Sequence, residues 1–351
     1  MDWTDLTRED QLVFTQVSPT NLDDTVAPLE DVDLSGSSIT YGYYTDTRVS
    51  GTLVTYGDYK LGSFIRIGHR VPSEGYEREL GTFIVTANPS VRSNGRWKTT
   101  LKLQSILYGL STDIADLPWC ISQNATAMKA IRDILEYRSR QYVDGGAIDS
   151  VFNSPILLES GKSRLSHIYA LCSASGNRLD VDGHGRVVIS EYVNPATVTP
   201  QFTFDLDDPK GIMLDELSRE SNYLSEADTV IVNYRYTDKD DSEKEIAATV
   251  TSDYFGARGY TIADFHSISD MSPATQLRAA EIAESYLPTG ETLRFEIAHK
   301  YLPIKAGDVV YLKVRDGEGR YVGRHKCLVQ TTKLSLKYMD MRTTLKSLGV
   351  A

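Results

Sequence analysis

The sequence has 351 residues, 37 Lys+Arg against 48 Asp+Glu, and a net charge of −11. That length exceeds a single compact core, so two or three domains are expected. A protein that grips nucleic acid needs clustered positive charge, which this balance opposes, and no apolar run approaches the length of a membrane-spanning helix.

Strands are predicted first. Residues 37–45, 48–56, 63–69, 80–87 and 97–106 are short runs rich in β-branched and aromatic side chains. Turn formers separate them at Gly57-Asp58, at 72–75 and at Ser93-Asn94-Gly95. Several strands at about ten-residue spacing predict an antiparallel barrel or sandwich over 1–112.

From 113 to 205 the texture changes. Met128, Ile131 and Leu135 recur at helical spacing within 125–138, as do Leu165, Ile168, Tyr169 and Cys172 within 163–174. Ser175-Gly176-Asn177 ends the second helix. Residues 178–191 then read as two strands around a glycine turn, completing a small α+β domain.

From 206 to 351 strands return, at 229–236, 245–251, 291–298, 308–314, 321–332 and 333–345. A helix interrupts them at 273–287. Ser272 caps it, Pro273 takes its first position, and Leu277, Ala280, Ala283 and Leu287 line one side. The predicted fold class is mainly β with α+β. Two antiparallel β-barrel-like domains are separated by a small α+β domain, with a further helix inserted in the C-terminal region.

The sharpest local motif is Asp180-x-Asp182-x-His184-Gly185 with Glu191 at its twelfth position. It departs from an EF-hand calcium loop at position 5, where histidine is a poor ligand for a hard cation. Val187-Val188-Ile189 alternates as a strand and no exiting helix follows, so the motif reads as a hairpin turn. The histidines, His69, His167, His184, His266, His299 and His325, are scattered singly. No nucleophile elbow, His-Glu-x-x-His or Walker loop is present. The sequence thus predicts no catalytic, cofactor-binding or metal-binding residues and no cofactor, and it reads as non-enzymatic. Cys120, Cys172 and Cys327 are widely separated and odd in number, and read as buried small apolar residues. The charged run 238–245 reads as a solvated hairpin tip, and Gly256-Ala257-Arg258-Gly259 as a loop. The 21 tyrosines suit strands and half-wet surfaces that become interfaces. The acidic N-terminus lacks a basic-then-apolar pattern, which predicts a soluble protein made without a Sec-type signal.

Three stretches carry a resemblance. The first is Val49–Thr55 after 37–44, followed by Gly68 and Gly81-Thr82-Phe83-Ile84-Val85-Thr86. The second is the helix at 165–173 running into Gly176-Asn177-Arg178-Leu179-Asp180-Val181-Asp182. The third is the strand opening at Asp228, then the alanine-rich 273–287 helix, then Pro303-Ile304-Lys305-Ala306-Gly307-Asp308-Val309-Val310. In this order, over residues 30–345, they resemble the phage tail hub proteins, the family of the gp27-like and tail-protein-D-like baseplate hubs.

That resemblance implies two β domains that look alike and sit side by side. Three subunits would then present six such units, in a homotrimeric ring joining a six-fold tail tube to a three-fold tip. The implied partners are copies of itself, the distal tail protein or tail tube above, and a tip, fibre or tape-measure protein below. DNA is met only in passage through the lumen, where acidic side chains would repel phosphate, and no membrane insertion is implied. The implied place is the virion tail tip or baseplate, assembled in the host cytoplasm. Lysozyme or peptidase modules that some relatives carry are not part of this expectation. Two other classes stay open: a receptor- or carbohydrate-binding tail module, which β content and abundant Tyr suit, and a tail-associated hydrolase, which no motif favours.

Overall fold

The computed structural model describes residues 9–57, 59–93, 95–137, 140–152, 155–208, 212–222, 229–237, 242–251, 263–269, 292–315 and 321–350. The first part contributes β1 (Gln11–Val17), β2 (Thr25–Pro28), β3 (Val32–Gly42), β4 (Val49–Thr55), β5 (Phe64–Val71), β6 (Tyr76–Ala87), β7 (Ser90–Ser93), β8 (Arg96–Ser105) and α1 (Leu107–Ser111). The middle holds β9 (Trp119–Ile121), α2 (Ala127–Tyr137), β10 (Tyr142–Asp144), β11 (Ile156–Leu158), α3 (Arg164–Ala174), β12 (Asn177–Val181) and β13 (Val187–Glu191). The last part holds β14 (Thr203–Phe204), β15 (Met213–Asn222), β16 (Thr229–Thr237), β17 (Glu243–Thr251), β18 (Ala263–Ser269), β19 (Thr292–Lys300), β20 (Val309–Arg315), β21 (Tyr321–Ser335) and β22 (Asp340–Val350).

The fold is mainly β, with α-helices confined among the described residues to the middle part and its approach. Among the described residues neither half closes into its own barrel. One sheet of 14 described strands runs through both halves: eleven follow the open order β15-β19-β22-β21-β3-β4-β8-β6-β5-β1-β2, while β7 pairs β8, β20 pairs β21 and β14 pairs β20 off this path. The seam is β3 against β21, antiparallel from Gly42↔Thr331 to Ser38↔Ser335. Within their own halves β3 would be an edge strand, and so would the 331–335 stretch of β21, which runs on past its pairing with β20. Pairing with the other half satisfies backbone groups that a lone edge would leave exposed.

Alternation explains how the sheet buries one face. Ile39, Leu53, Leu101, Leu103, Leu334 and Leu345 point inward and are fully or almost fully buried. They belong to one apolar core drawn from both halves, which Phe83, Phe295 and Val310 complete. A second core packs Ile131 and Leu135 of α2 and Ile168 of α3 against Leu179 and Ile189 of the β12–β13 hairpin. Val17, Leu22 and Phe64 of the sheet's first strands and loops also enter it. Ser163 caps α3, its hydroxyl accepting from the Ser166 amide at 3.1 Å.

Two strand boundaries moved. The predicted break at 332/333 lies inside β21, and the turn falls at 336–339 with Met339 at φ +51°. Lys337-Tyr338-Met339 contains none of the residues that signal a turn, so pattern reading could not place it. The 273–287 helix, the 256–259 loop, residues 238–241 of the 238–245 run and residues 316–319 lie outside the described residues.

The inner face of the second half carries one polar chain. His299 Nδ1–H donates to the Lys300 carbonyl at 2.7 Å, so Nε2 is the acceptor of the Thr343 hydroxyl at 2.9 Å. Burial holds His299 down to about 4, well under its ordinary 6.5. His167 and His325 are shifted in the same direction, again chiefly by burial. The unfolded chain therefore takes up protons that the folded chain still refuses. Stability present above pH 6.5 drains away as pH falls toward 4, by on the order of 3 kcal/mol for His299 alone. Urea midpoints compared at about pH 7 and about pH 5 check this, and equal midpoints contradict a neutral buried His299.

Candidate functional site

The motif at 180–191 is the β12–β13 hairpin, and its carboxylates are engaged locally. Asp182 accepts from the Arg186 amide and from Arg186 Nε, both at 2.8 Å. Asp180 lies 3.2 Å from Arg178 and 3.6 Å from Lys305. Gly185 closes the turn at φ +82°, its amide donating to the Asp182 carbonyl at 3.0 Å.

The turn is also a joint. Its tip lies so close to β6 that a Cβ on Gly183 would sit 2.2 Å from the Glu79 carbonyl oxygen. The Thr82 hydroxyl donates to the Gly183 carbonyl at 2.9 Å. Buried Arg66 spans the contact, donating to Thr82 Oγ1 at 3.1 Å, the Leu22 carbonyl at 2.6 Å and the His184 carbonyl at 3.3 Å. The base of the hairpin reaches the other half of the sheet. Arg178 donates to the Ala306 carbonyl at 3.4 Å and stacks 4.5 Å from the Tyr43 ring centroid. Arg48 donates to the Leu179 carbonyl at 3.1 Å. A cavity of about 240 Å³ remains among these groups, lined by Arg48, Arg78, Arg178 and Lys305 on one side of the charge balance and by Glu79, Asp180 and Asp182 on the other. The hairpin thus clamps the middle unit to both β halves.

The sheet's other feature is its open outer face. Registers across the seam align two rows: Ser335, Ser38, Thr52 and Lys102, then Lys333, Thr40, Ser50 and Gln104. The chain's acidity is absent from these eight positions. On the next strand Asp340 stands directly across from Ser335 and pairs with Lys300 at 2.7 Å, and Arg342 stands across from Lys333 and pairs with Glu216 at 2.8 Å.

The histidines do not converge. His69 meets Asp10 at 2.7 Å, His167 the Glu159 carbonyl at 3.0 Å, and His325 the Ser347 hydroxyl at 3.1 Å. His184 lies 3.9 Å from Asp23, and His266 sits in β18. Among the described residues no three His, Cys, Asp or Glu side chains gather as a metal site would require. One cysteine expectation needs correction. Cys172 and Cys327 are buried, with burial pushing each thiol up to about 12, but Cys120 is exposed on β9 opposite Leu157. The β9–β11 ribbon is only three residues long on each strand, too short for periodicity to reveal which face is covered. Sequence reasoning missed the Arg66–Thr82 contact because nothing local marks two β residues as the seat of a hairpin a hundred positions away.

Neither a family model nor a curated relative matches this sequence. Solved structures do match in fold. The prophage MuSo2 tail protein from Shewanella oneidensis superposes with a TM-score of 0.65 at 12% identity, over 97% of this chain and 99% of that one. The tail protein from Neisseria meningitidis MC58 gives 0.64 at 12% identity, covering 96% of each chain. The E. coli c3393 protein, a type VI secretion component with structural similarity to the T4 tail proteins gp27 and gp5, gives 0.52 at 12% identity, over 90% of this chain and 74% of that one. Likeness over nearly the whole length gives this chain the fold of these phage tail and tail-like proteins.

Proposed function

We propose that this chain is a non-enzymatic structural subunit of a phage or phage-derived tail, a hub that assembles as a homotrimeric ring. The observation that carries the reading is the seam. One chain presents two β halves edge to edge in a single sheet, so three chains can offer six comparable units to a six-fold tube and three to a tip. The ring would sit at the tail tip or baseplate, between the distal tail or tube protein and a tip, fibre or tape-measure protein, with an axial channel for DNA. Its division into β parts at 1–112 and 206–351 around the unit at 113–205 belongs to the same reading. The clamp at Gly183 suits it, because a symmetry adaptor must hold its parts at fixed angles.

Light scattering on the purified chain, with negative-stain images of the same peak, tests the assembly. A three-fold ring with a central hole is expected, either alone or on adding a tail-tube partner. A chain that stays monomeric with every tail partner refutes the ring. The receptor-binding alternative has one observation in its favour, an exposed Trp97 at 59% beside Arg92 on the β7–β8 hairpin. It predicts glycan affinity lost in Trp97→Ala.

A further inference from the structure

The cavity beside the β12–β13 hairpin collects guanidinium groups from three separate places in the chain. Arg48 immediately precedes β4, Arg78 lies on β6 and Arg178 on β12, and all three line the cavity together with Lys305. The Tyr43 ring draws two of them together, with Arg48 5.9 Å and Arg178 4.5 Å from its centroid. The loop before β20 draws in the third, since Arg78 donates to the Pro303 carbonyl at 2.8 Å and Arg178 to the Ala306 carbonyl at 3.4 Å. Their counter-charge is incomplete. Asp180 serves Arg178 and Lys305, and Asp182 is held by Arg186. Glu79 leans over Gly68, its Oε2 2.9 Å from where a Cβ on that glycine would sit. Among the described residues no carboxylate lies within ion-pair distance of Arg48 or Arg78, and Arg178 Nε is buried without an acceptor. Arg48 also takes φ +59°, a left-handed backbone that glycine would hold at less cost, and its side-chain contacts must offset that strain.

We propose that this cavity is a binding site for a small tetrahedral oxyanion of the phosphate or sulfate class, held by Arg48, Arg78 and Arg178 with Lys305 as a further charge. Withdrawing cations from water without matching anions is costly, and this happens in a chain of net charge −11 that has carboxylates to spare. Guanidinium forks match the oxygens of such an anion. Three forks arriving from three directions suit a tetrahedral acceptor with four oxygens better than a planar carboxylate with two. The volume of about 240 Å³ is below the range of about 300–1,000 Å³ that drug-sized ligands occupy, which fits a free oxyanion or a short ester of one. A bound dianion would bridge β6, β12 and the loop before β20, so occupancy would tighten the joint between the middle unit and both β halves. The site rests on this geometry alone and holds whether or not the chain forms a ring.

Isothermal titration of inorganic phosphate into the full chain, at fixed ionic strength, reads the site. Expected is one saturable site with a Kd of about 1 mM or tighter, competed by sulfate and not by chloride. Arg48→Gln and Arg78→Gln should each weaken it at least about tenfold. Arg70→Gln with Arg342→Gln, which removes two guanidiniums from exposed ion pairs with Glu77 and Glu216, should leave it within about twofold. Glycerol phosphate run alongside separates the sources of the group: tighter binding than phosphate marks a short ester as the ligand, and equal or weaker binding marks the free ion. Amide exchange on the wild-type chain needs no variant to fold, and phosphate should slow it at 47–49, 78–82 and 178–183. Absence of saturable binding, equal loss in the control variant, or protection that misses all three segments overturns the proposal. So does tighter binding of polyglutamate than of phosphate, which assigns the arginines to the carboxylates of a partner protein.

Discussion

Gly183→Ala is expected to undock the β12–β13 hairpin from β6 and cost about 3 kcal/mol. The new Cβ would meet the Glu79 carbonyl oxygen at 2.2 Å and its carbonyl carbon at 2.8 Å. Backbone cannot swing away as a flexible side chain could, so the hairpin itself must retreat. Retreat breaks the Thr82 hydroxyl bond to the Gly183 carbonyl and the Arg66 bond to the His184 carbonyl. The second loss weighs more, because a buried guanidinium short of acceptors keeps its desolvation penalty. Gly161→Ala is the control. It lies in the same unit at φ +79° with no atom within 4 Å of its would-be Cβ, so only the backbone cost of about 1 kcal/mol applies. Urea unfolding gives the energies, and amide exchange locates the damage. Exchange should rise in 79–82 and 182–186 for Gly183→Ala and stay unchanged there for Gly161→Ala. Wild-type stability in Gly183→Ala would mean that the hairpin is not held against β6 in solution.

The same joint shows what sequence could and could not reveal. Residues 178–191 read as a hairpin because Leu179, Val187 and Ile189 alternate around glycines, and these three side chains are fully buried. Alternation reports a covered face but not what covers it. Gly183 and Gly185 looked like turn residues alone, whereas Gly183 is needed for close approach to another strand. The seam was illegible for a related reason. Ile39 and Leu334 each satisfy the inward pattern of their own strand, and that pattern is identical whether the neighbour lies 15 residues away or 295. Closed barrels were the natural expectation from strand spacing, which carries no information about long-range pairing. The lack of a convergent motif left the tail reading to the order of elements, and that order is a property of the fold.

Cutting that seam gives the second large effect. Leu334→Ala should destabilise by about 3 kcal/mol, since Leu334 is fully buried against a core shared by both halves. The cavity it leaves removes contacts without changing the ladder, so the variant should unfold at lower urea with an unchanged m-value and should assemble as wild type while folded. Thr40→Pro acts differently. Thr40 lies between Ser50 of β4 and Lys333 of β21, where proline deletes a ladder donor in the middle of a sheet. Its effect should concentrate on pairing, raising amide exchange along 38–42 and 331–335. Size measurements on the two variants separate stability from geometry. If the seam fixes the angle between the halves, Thr40→Pro loses the ring at a urea concentration where Leu334→Ala, equally weakened, retains it. If both lose assembly in proportion to stability, the seam is ordinary core and the symmetry match must be set elsewhere on the chain.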